Sequence, residues 1–452
     1  MTGMEKRFFG VLNIHRLWRN AGLFGLLFCV ASAVLAEPEQ VFYPQLEIIG
    51  ETNRSALSYQ PGEEMIYTFK VEPREAVPEN SFLKYVRRGD DGKTFTGKAP
   101  ASEPLTVKTS LDQPGFVNVE VSLLDSAGKP IRRDGGSGAA SRIAYYAGTA
   151  VHPEQLSDCG EPDDFDAFWA RQKQRLAAVP FKDRTECKLV RTLKEGKIYA
   201  VSIPCAGPRP ATGYLSVPDG VAEKPVPARI TFFGYGARPQ AIPGKINARE
   251  LVLSINAHGQ ELGRDEEYYR TFFASIKSGK YSYAFDPEQN KDPENCFFNG
   301  MVLRALRAME YLKTRPEWNG KDLIASGGSQ GGLQTMWAAA LEPSVTVAEP
   351  SITWCCDLAG TTKAKRLHGT WRIQYVPALD YYDPVFMAKR IKTARVKILR
   401  AGLGDYTCPP SGLAISYRNL ATPHKSIRWV QGSNHGFVPK KSEVIVWSSE
   451  EK

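Results

Sequence analysis

The chain has 452 residues, of which 24% are charged, and its formal net charge is +9. Because the lysines and arginines are scattered rather than clustered, this charge indicates a solvated basic surface and argues against nucleic-acid binding. A chain of this length is too long for one ordinary hydrophobic core, so two domains are expected.

The N-terminus has the pattern of an export signal. Lys6, Arg7 and two further arginines precede the apolar run 21–30, and small residues end at Ala36. We interpret residues 1–36 as a signal peptide cleaved after Ala36, which predicts a periplasmic or secreted protein. An uncleaved anchor is disfavoured because the run is too short to span a bilayer well. No later segment is apolar enough to do so, so no membrane association is expected after cleavage.

Residues 37–152 are typical of an all-β domain. Short alternating segments separated by turn signals predict strands at 45–49, 65–71, 105–109 and 116–124. This spacing favours a β-sandwich of immunoglobulin-like type. The segment carries no catalytic constellation, so a structural or substrate-presenting role is expected.

Residues 153–452 have an α/β pattern. A first helix is predicted near Phe165, Phe168 and Trp169, with Asp163 or Asp164 as its cap, and a second over 298–313. Strands alternate with helices from about residue 213, which indicates a mostly parallel sheet covered on both sides. The predicted strands are 228–233, 251–255, 322–326, 345–348, 396–401 and 426–430.

The segment Gly327-Gly328-Ser329-Gln330-Gly331 runs from a predicted strand into a predicted helix at 330–341. A serine nucleophile must stand on a tight turn, and Gly327 and Gly331 leave room for it. The backbone N–H of Gln330, at the start of the helix, would then face a developing oxyanion.

A serine at such a turn requires a carboxylate and then a histidine later in the chain. His435 follows the strand 426–430 on the expected side, whereas His424 precedes that strand and His368 follows no strand. Asp405 ends the preceding strand and is the predicted acid. Asp383 precedes a proline, a pattern typical of turns, and is interpreted as structural.

The second oxyanion donor is predicted in the loop after the strand 228–233, with the N–H of Tyr235 as the candidate. The seven cysteines after residue 36 form no C-x-x-C pair and no cysteine–histidine cluster, so no metal site and no cofactor is expected. Some of them could form disulfides in an oxidising compartment, while an odd number leaves at least one unpaired.

Together these motifs resemble carbohydrate esterase family seven, the group of acetyl xylan esterases and cephalosporin C deacetylases with the α/β-hydrolase fold. The resemblance extends from about residue 162 to residue 437. It is carried by the motif 327–332, by the segment 165–169, by Gly234-Tyr235, and by Asp405 followed by Cys408-Pro-Pro. It implies ester hydrolysis through a Ser329–His435–Asp405 triad, with an acetylated carbohydrate as substrate.

Two positions depart from the family pattern. The family's Arg-Gly-Gln is His258-Gly259-Gln260 here, and its His-Glu pair is His435-Gly436. We assign His258, Gln260 and Trp354 to substrate binding or loop support. The family is often hexameric, which implies a homo-oligomer, although the added β-domain could block that assembly.

The resulting hypothesis is a secreted serine esterase that removes acetyl groups from xylan or xylo-oligosaccharides. One alternative is an esterase acting on another acylated sugar or a small ester. An alternative of another class is a carbohydrate-binding protein on a hydrolase scaffold without turnover. The complete set of Ser329, Asp405 and His435 favours catalysis over binding alone.

Overall fold

The computed structural model describes residues 41–136 and 138–450. The predicted signal peptide, residues 1–36, lies outside these residues and stays a prediction. Within the described part of the chain, no helix is both long and apolar enough to cross a membrane. From Phe42 onward the chain forms one compact unit.

The N-terminal part consists of seven strands in two antiparallel sheets, with the orders β1-β2-β5 and β4-β3-β6-β7. The strands are β1 (Glu47–Thr52), β2 (Met65–Glu72), β3 (Phe82–Gly89), β4 (Thr94–Pro100), β5 (Leu105–Thr109), β6 (Gly115–Leu124) and β7 (Ala144–Val151). Their apolar side chains share one core. The expected β-rich N-terminal part is therefore present, whereas its immunoglobulin type and the boundaries 37–152 stay predictions.

Strand β6 shows why the two sheets pack together. Val117, Val119 and Val121 are fully buried in the shared core. Because successive side chains of a strand point to opposite faces, Asn118 and Glu120 lie on the other face of the four-stranded sheet. One face of this sheet thus packs in the shared core, and the other carries polar side chains beside buried apolar ones.

The larger part of the molecule is built on a ten-stranded sheet of order β17-β16-β15-β14-β13-β11-β12-β10-β9-β8. Its strands are β8 (Glu186–Leu193), β9 (Gly196–Ile203), β10 (Ala211–Pro218), β11 (Val226–Phe232), β12 (Leu251–Ile255), β13 (Trp318–Gly328), β14 (Val347–Ser351), β15 (Arg395–Gly402), β16 (Lys425–Val430) and β17 (Val444–Ser448). Five of the nine strand pairs are parallel, and these form the centre. Antiparallel pairs at both edges make the sheet mixed, with parallel pairs in the majority.

Within residues 41–136 and 138–450, seven α-helices accompany this sheet: α1 (Phe165–Ala177), α2 (Glu266–Ser275), α3 (Phe297–Lys313), α4 (Gln330–Leu341), α5 (Gly360–Lys363), α6 (Pro384–Met387) and α7 (Pro410–Asn419). Helix α3 buries Phe298, Val302 and Met309 in the core, as its periodicity predicts. Helix α1 buries its predicted aromatic face, but the side chain of Asp164 does not cap it. That carboxylate instead accepts hydrogen bonds from Tyr381 and Arg171.

Several boundaries differ from the sequence predictions. Strand β13 extends beyond 322–326 at both ends, and β14 begins two residues later than predicted. Strand β7 was not predicted, because every residue in it is buried and its sequence shows no polar alternation. Helices α2 and α7 and strand β17 were also missed.

Candidate active site

Ser329 lies on a sharp turn between β13 and α4. Its backbone has φ 58° and ψ −119°, a conformation that is unfavourable for a residue with a side chain. A Cβ atom at Gly331 would lie 2.4 Å from the carbonyl oxygen of Phe232, and one at Gly327 would lie 2.7 Å from Gly331. The two glycines are therefore needed for the turn to form.

Neighbouring backbone groups hold this turn in place. The N–H of Ser329 donates to the carbonyl oxygen of Ser351 at 2.9 Å, and the N–H of Trp354 donates to the carbonyl oxygen of Ser329 at 3.2 Å. Both partners belong to the end of β14 and the loop after it. The strained serine is thus fixed from the adjacent parallel strand.

Asp405 follows β15, and His435 follows β16. Both therefore lie at the carboxyl ends of the parallel strands, as does Ser329 after β13. The ring Nδ1 of His435 lies 3.0 Å from Oδ2 of Asp405, and the aspartate side chain is fully buried. The backbone N–H groups of Thr407 and Cys408 donate to the other carboxylate oxygen, both at 3.0 Å. Asp405 is thereby held as a hydrogen-bond acceptor facing the imidazole.

A chain of hydrogen bonds connects the serine turn to the histidine loop. The N–H of Ile352 donates to the carbonyl oxygen of Arg400 at 2.8 Å. The guanidinium of Arg400 in turn donates to the carbonyl oxygen of His435 at 3.1 Å. Among the described residues, Ser329 Oγ makes no direct hydrogen bond to His435. Such contacts are often long in a free enzyme and shorten when substrate binds.

Tyr283 joins the two segments that carry the predicted oxyanion donors. Its hydroxyl accepts from the N–H of Gly236 at 2.9 Å and donates to Oε1 of Gln330 at 2.8 Å. The rings of Tyr235 and Tyr283 stack with centroids 4.2 Å apart. The loop of Tyr235 is therefore tied directly to the start of α4. No sequence motif singled out Tyr283.

His258 contacts the same loop from the interior of the protein. Its Nε2 lies 3.0 Å from the carbonyl oxygen of Gly236, and because a carbonyl can only accept, Nε2 carries the proton. Burial lowers the pKa of His258 to about 4, so the ring is neutral near pH 7. His258 is thus a buried, neutral ring that is hydrogen-bonded to the loop of Tyr235.

Gln260 is likewise inaccessible, with no exposed surface. Its side-chain amide donates to the carbonyl oxygen of Arg238 at 3.3 Å, and its backbone carbonyl accepts from Thr212 at 2.6 Å. Of the two roles predicted for Gln260, the contacts fit loop support and not contact with substrate.

An aromatic cluster lies between the serine turn and the surface. Trp354 is only 1% exposed and stacks on Trp371, with ring centroids 5.0 Å apart. Tyr235 and Phe285 contact both indoles. Trp371 is 40% exposed, so it covers Trp354 and presents the surface of the cluster. Sequence reasoning named Trp354 but missed Trp371.

The other candidate acids and histidines lie in different settings. Asp383 is fully buried and accepts hydrogen bonds from the backbone of Asp357, Leu358 and Val385, which fits its structural interpretation. His424 is exposed and lies near Glu450. His368 lines the same pocket as His435.

The structure brings Cys408 close to the acid and the histidine. One ligand-type atom from each of Asp405, Cys408 and His435 lies within 4.8 Å of the other two, a proximity that the sequence spacing did not predict. Burial raises the pKa of the Cys408 thiol well above its usual range, which opposes the thiolate form that metals prefer. All seven cysteines in the described part of the chain are free thiols.

A family model described as acetyl xylan esterase (AXE1) matches residues 154–450, more than half of the chain. The strands β1 to β7 precede this match. The chain is also similar to acetyl esterase Axe7A of Xylanibacter ruminicola. The two are 25% identical over 331 residues, which cover 70% of each chain.

Two solved structures share the fold of the larger part. One is an acetyl xylan esterase from Paenibacillus sp. R4, with a TM-score of 0.52 and 24% identity over 63% of this chain and 93% of that chain. The other is acetyl xylan esterase 1 from Thermoanaerobacterium sp. JW/SL YS485, with the same TM-score and identity over 63% of this chain and 92% of that chain. These similarities identify the fold as that of the α/β hydrolases.

Proposed function

Because the chain belongs to the acetyl xylan esterase family and is a carboxylic ester hydrolase, we propose that it removes acetyl groups from xylan or acetylated xylo-oligosaccharides. The reaction proceeds through an acyl-enzyme formed on Ser329. The observation that carries this proposal is the hydrogen bond between His435 and the buried Asp405, at the sheet edge where Ser329 occupies its strained turn.

The proposed roles follow from this arrangement. Ser329 Oγ attacks the acetyl carbonyl and passes its proton to Nε2 of His435. Asp405 accepts from Nδ1, keeps the ring in the tautomer that leaves Nε2 free, and stabilises the imidazolium that forms. The same proton then goes to the departing sugar oxygen as its bond to the acetyl carbon breaks. A water molecule, deprotonated by His435, attacks the acyl-enzyme. Acetate is released, and His435 returns the proton to Ser329 Oγ.

When Ser329 attacks, negative charge develops on the oxygen of the acetyl carbonyl. Fixed hydrogen-bond donors are needed to stabilise this charge. We assign this role to the backbone N–H groups of Gln330 and Tyr235. The hydroxyl of Tyr283 bridges their two segments, and His258 holds the carbonyl of Gly236. These contacts support a preorganised site, because neither segment can shift without breaking buried hydrogen bonds.

The aromatic cluster favours a short acyl group. Trp354 contacts the serine turn through its backbone N–H, and its indole packs against Tyr235 and Trp371. We infer that these large rigid side chains limit the room for a long acyl chain, since pocket shape of this kind discriminates between substrates.

The location and the N-terminal part are proposed on sequence grounds. The pattern of residues 1–36 supports export to the periplasm or the medium. We assign residues 37–152 to an immunoglobulin-like sandwich that precedes the catalytic domain at 153–452. An exported enzyme with an added β-domain suits a substrate derived from a polymer.

The test is acetate release from acetylated xylo-oligosaccharides by the full chain, compared with Ser329→Ala and with Ser326→Ala as a matched control on the same strand. Nitrophenyl esters of increasing acyl length are assayed in parallel. We expect release by the wild type and the control, a loss of at least about 10³-fold in Ser329→Ala, and activity that falls sharply beyond acetate.

Three outcomes contradict the proposal in different ways. Equal activity in Ser329→Ala removes the nucleophile assignment. Turnover of nitrophenyl acetate without release from the sugars moves the substrate to another ester. Inactivity on every ester favours a carbohydrate-binding protein without turnover.

A further inference from the structure

The pocket next to His435 has a wall that comes from outside the family match. The pocket has a volume of about 420 Å³, within the range of small-ligand sites. Its lining includes Asp405, His435 and Trp371. It also includes Arg88, Asn118, Glu120 and Tyr146, which belong to β3, β6 and β7. We call these four residues the β-wall.

The β-wall is one continuous patch of the four-stranded sheet. Arg88 lies opposite Asn118 in the pairing of β3 with β6, and Glu120 lies opposite Tyr146 in the pairing of β6 with β7. Asn118 and Glu120 are two residues apart on β6, so all four side chains share one face of the sheet. Asn118 and Tyr146 are buried, and the amide of Asn118 donates to the carbonyl oxygen of Ala147. Arg88 and Glu120 are the members with exposed side chains.

Strand β7 is joined tightly to the loops that carry the acid and the histidine. The N–H of Tyr146 donates to the carbonyl oxygen of Gly432 at 3.4 Å. The side chain of Gln431 accepts from the N–H of Gly148 at 2.8 Å and donates to its carbonyl oxygen at 2.7 Å. A Cβ atom at Gly404 would lie 2.3 Å from the carbonyl oxygen of Tyr146. The β-wall therefore has a fixed position relative to His435.

The same sheet also anchors the loop that carries Trp371. The carboxylate of Asp90, next to the end of β3, accepts from the N–H of Leu367 and from the N–H of Phe116, both at 2.8 Å. Trp371, four residues beyond Leu367, also lines the pocket. The N-terminal strands thus line the pocket themselves and also hold a second segment that lines it.

The β-wall has the chemistry of a sugar-binding surface. A sugar presents hydroxyl groups, which both donate and accept, and faces of C–H groups that pack on aromatic rings. Arg88 donates, Glu120 accepts, and the two are loosely paired at 3.6 Å with side chains 41% and 34% exposed. Both charged groups are therefore available to a ligand, and Trp371 adds an exposed ring to the same pocket.

We propose that the β-wall binds the sugar chain of the ester, the alcohol side of the substrate, and so makes the N-terminal strands part of the substrate site. Arg88 and Glu120 hydrogen-bond sugar hydroxyls while Trp371 packs against a ring face. This inference rests on the proposed function and assigns specificity for carbohydrate to residues outside the family match.

The test compares two substrates in the full chain, acetylated xylo-oligosaccharide and nitrophenyl acetate, whose leaving group carries no sugar hydroxyls. The kcat/KM for the oligosaccharide is divided by the kcat/KM for nitrophenyl acetate. This ratio is measured for the wild type, Arg88→Ala, Glu120→Gln and the double variant. The matched control is Lys84→Ala, since Lys84 lies on the same strand and the same face but outside the pocket. We expect the ratio to fall at least tenfold in the double variant and to stay within twofold of wild type in the control.

The outcomes separate the inference from the function on which it rests. If the wild type cleaves the oligosaccharide and the double variant has the same ratio as the wild type, the sugar-binding role of the β-wall is overturned and the proposed function stands. A wild type that cleaves only nitrophenyl acetate overturns the proposed function and the inference with it. An equal fall of the ratio in Lys84→Ala also overturns the inference, because the effect would then not depend on the pocket.

Discussion

The imidazole of His435 donates a hydrogen bond of 3.0 Å from Nδ1 to Oδ2 of Asp405, whose carboxylate is fully buried. The other carboxylate oxygen is occupied by two backbone N–H groups. The carboxylate can therefore only accept from the ring, and this contact fixes the ring orientation and the tautomer.

Replacement of this acid tests the contact. In Asp405→Asn the amide can donate to Nδ1, which would place the ring proton on Nε2, where it cannot take the proton of Ser329. We expect kcat on nitrophenyl acetate to fall about 10³- to 10⁴-fold with little change in thermal stability. The comparison is Asp383→Asn, which removes an acceptor of backbone N–H groups. That variant should lose stability and keep its kcat, and the reverse pattern would make Asp383 the functional acid.

The hydroxyl of Tyr283 provides a second test. Tyr283→Phe keeps the stacked ring and the carbonyl that accepts from Tyr235, and removes only the bridge between Gly236 and Gln330. Because a buried donor loses its partner, we expect kcat to fall about 5- to 50-fold with KM within threefold. Steady-state kinetics on nitrophenyl acetate check this, with Tyr199→Phe on β9 as the control. A rise in KM at constant kcat would contradict a role in oxyanion stabilisation.

The buried ring of His258 predicts a pH dependence of stability. Its pKa is about 4 in the folded protein, against 6.5 for an unperturbed ring, because burial disfavours the charged form. Below pH 6.5 the unfolded chain binds a proton that the folded protein does not, so stability falls as the pH drops from 6.5 towards 4. The expected loss between pH 7 and pH 5 is about 2 kcal/mol.

Urea unfolding at pH 7 and pH 5 measures this loss. Other buried groups also titrate in this range, so the quantity of interest is the difference between wild type and His258→Gln. The variant should be less stable at pH 7 and should lose about 2 kcal/mol less on acidification. His424→Gln, at an exposed ring, should behave like the wild type. Identical pH profiles for wild type and His258→Gln would contradict the assignment of a neutral buried ring.

The serine turn predicts the effect of a single added methyl group. In Gly331→Ala the new Cβ would meet the carbonyl oxygen of Phe232 at 2.4 Å, so the turn must shift. We expect a loss of about 1–3 kcal/mol of stability. We also expect a fall in kcat of about 100-fold, since Ser329 is displaced from its position relative to His435. Gly244→Ala is the control, because a Cβ at that position meets no atom within 4 Å. Thermal unfolding and kinetics that are unchanged in Gly331→Ala would contradict this account.

The sequence predicted those parts of the site that depend on short-range patterns. The glycines around Ser329 and the order of Ser329, Asp405 and His435 at successive strand ends are local features, and each lies at the predicted end of its element. The bounds of α4 and β12 also match their predictions, because a clear helical or strand pattern ends there in a turn signal.

Predictions that ignored distant contacts were less accurate. Strand β7 was missed because it is buried on both faces and lacks alternation. The possibility of disulfides also found no support among the described cysteines, which are free. Cysteine pairing depends on the distance between residues in space, which spacing along the chain does not give.

The sequence by itself determined the fold class, the family and the candidate catalytic residues, because tight turns and strand ends impose local steric demands on residue type. Only the tertiary structure revealed the bridge made by Tyr283, the cover of Trp371 and the β-wall. Each of these joins segments far apart in the chain, and the way in which such segments meet is set by packing across the whole core. For that reason the candidate catalytic residues could be predicted from the sequence, whereas the residues that surround them in space could not.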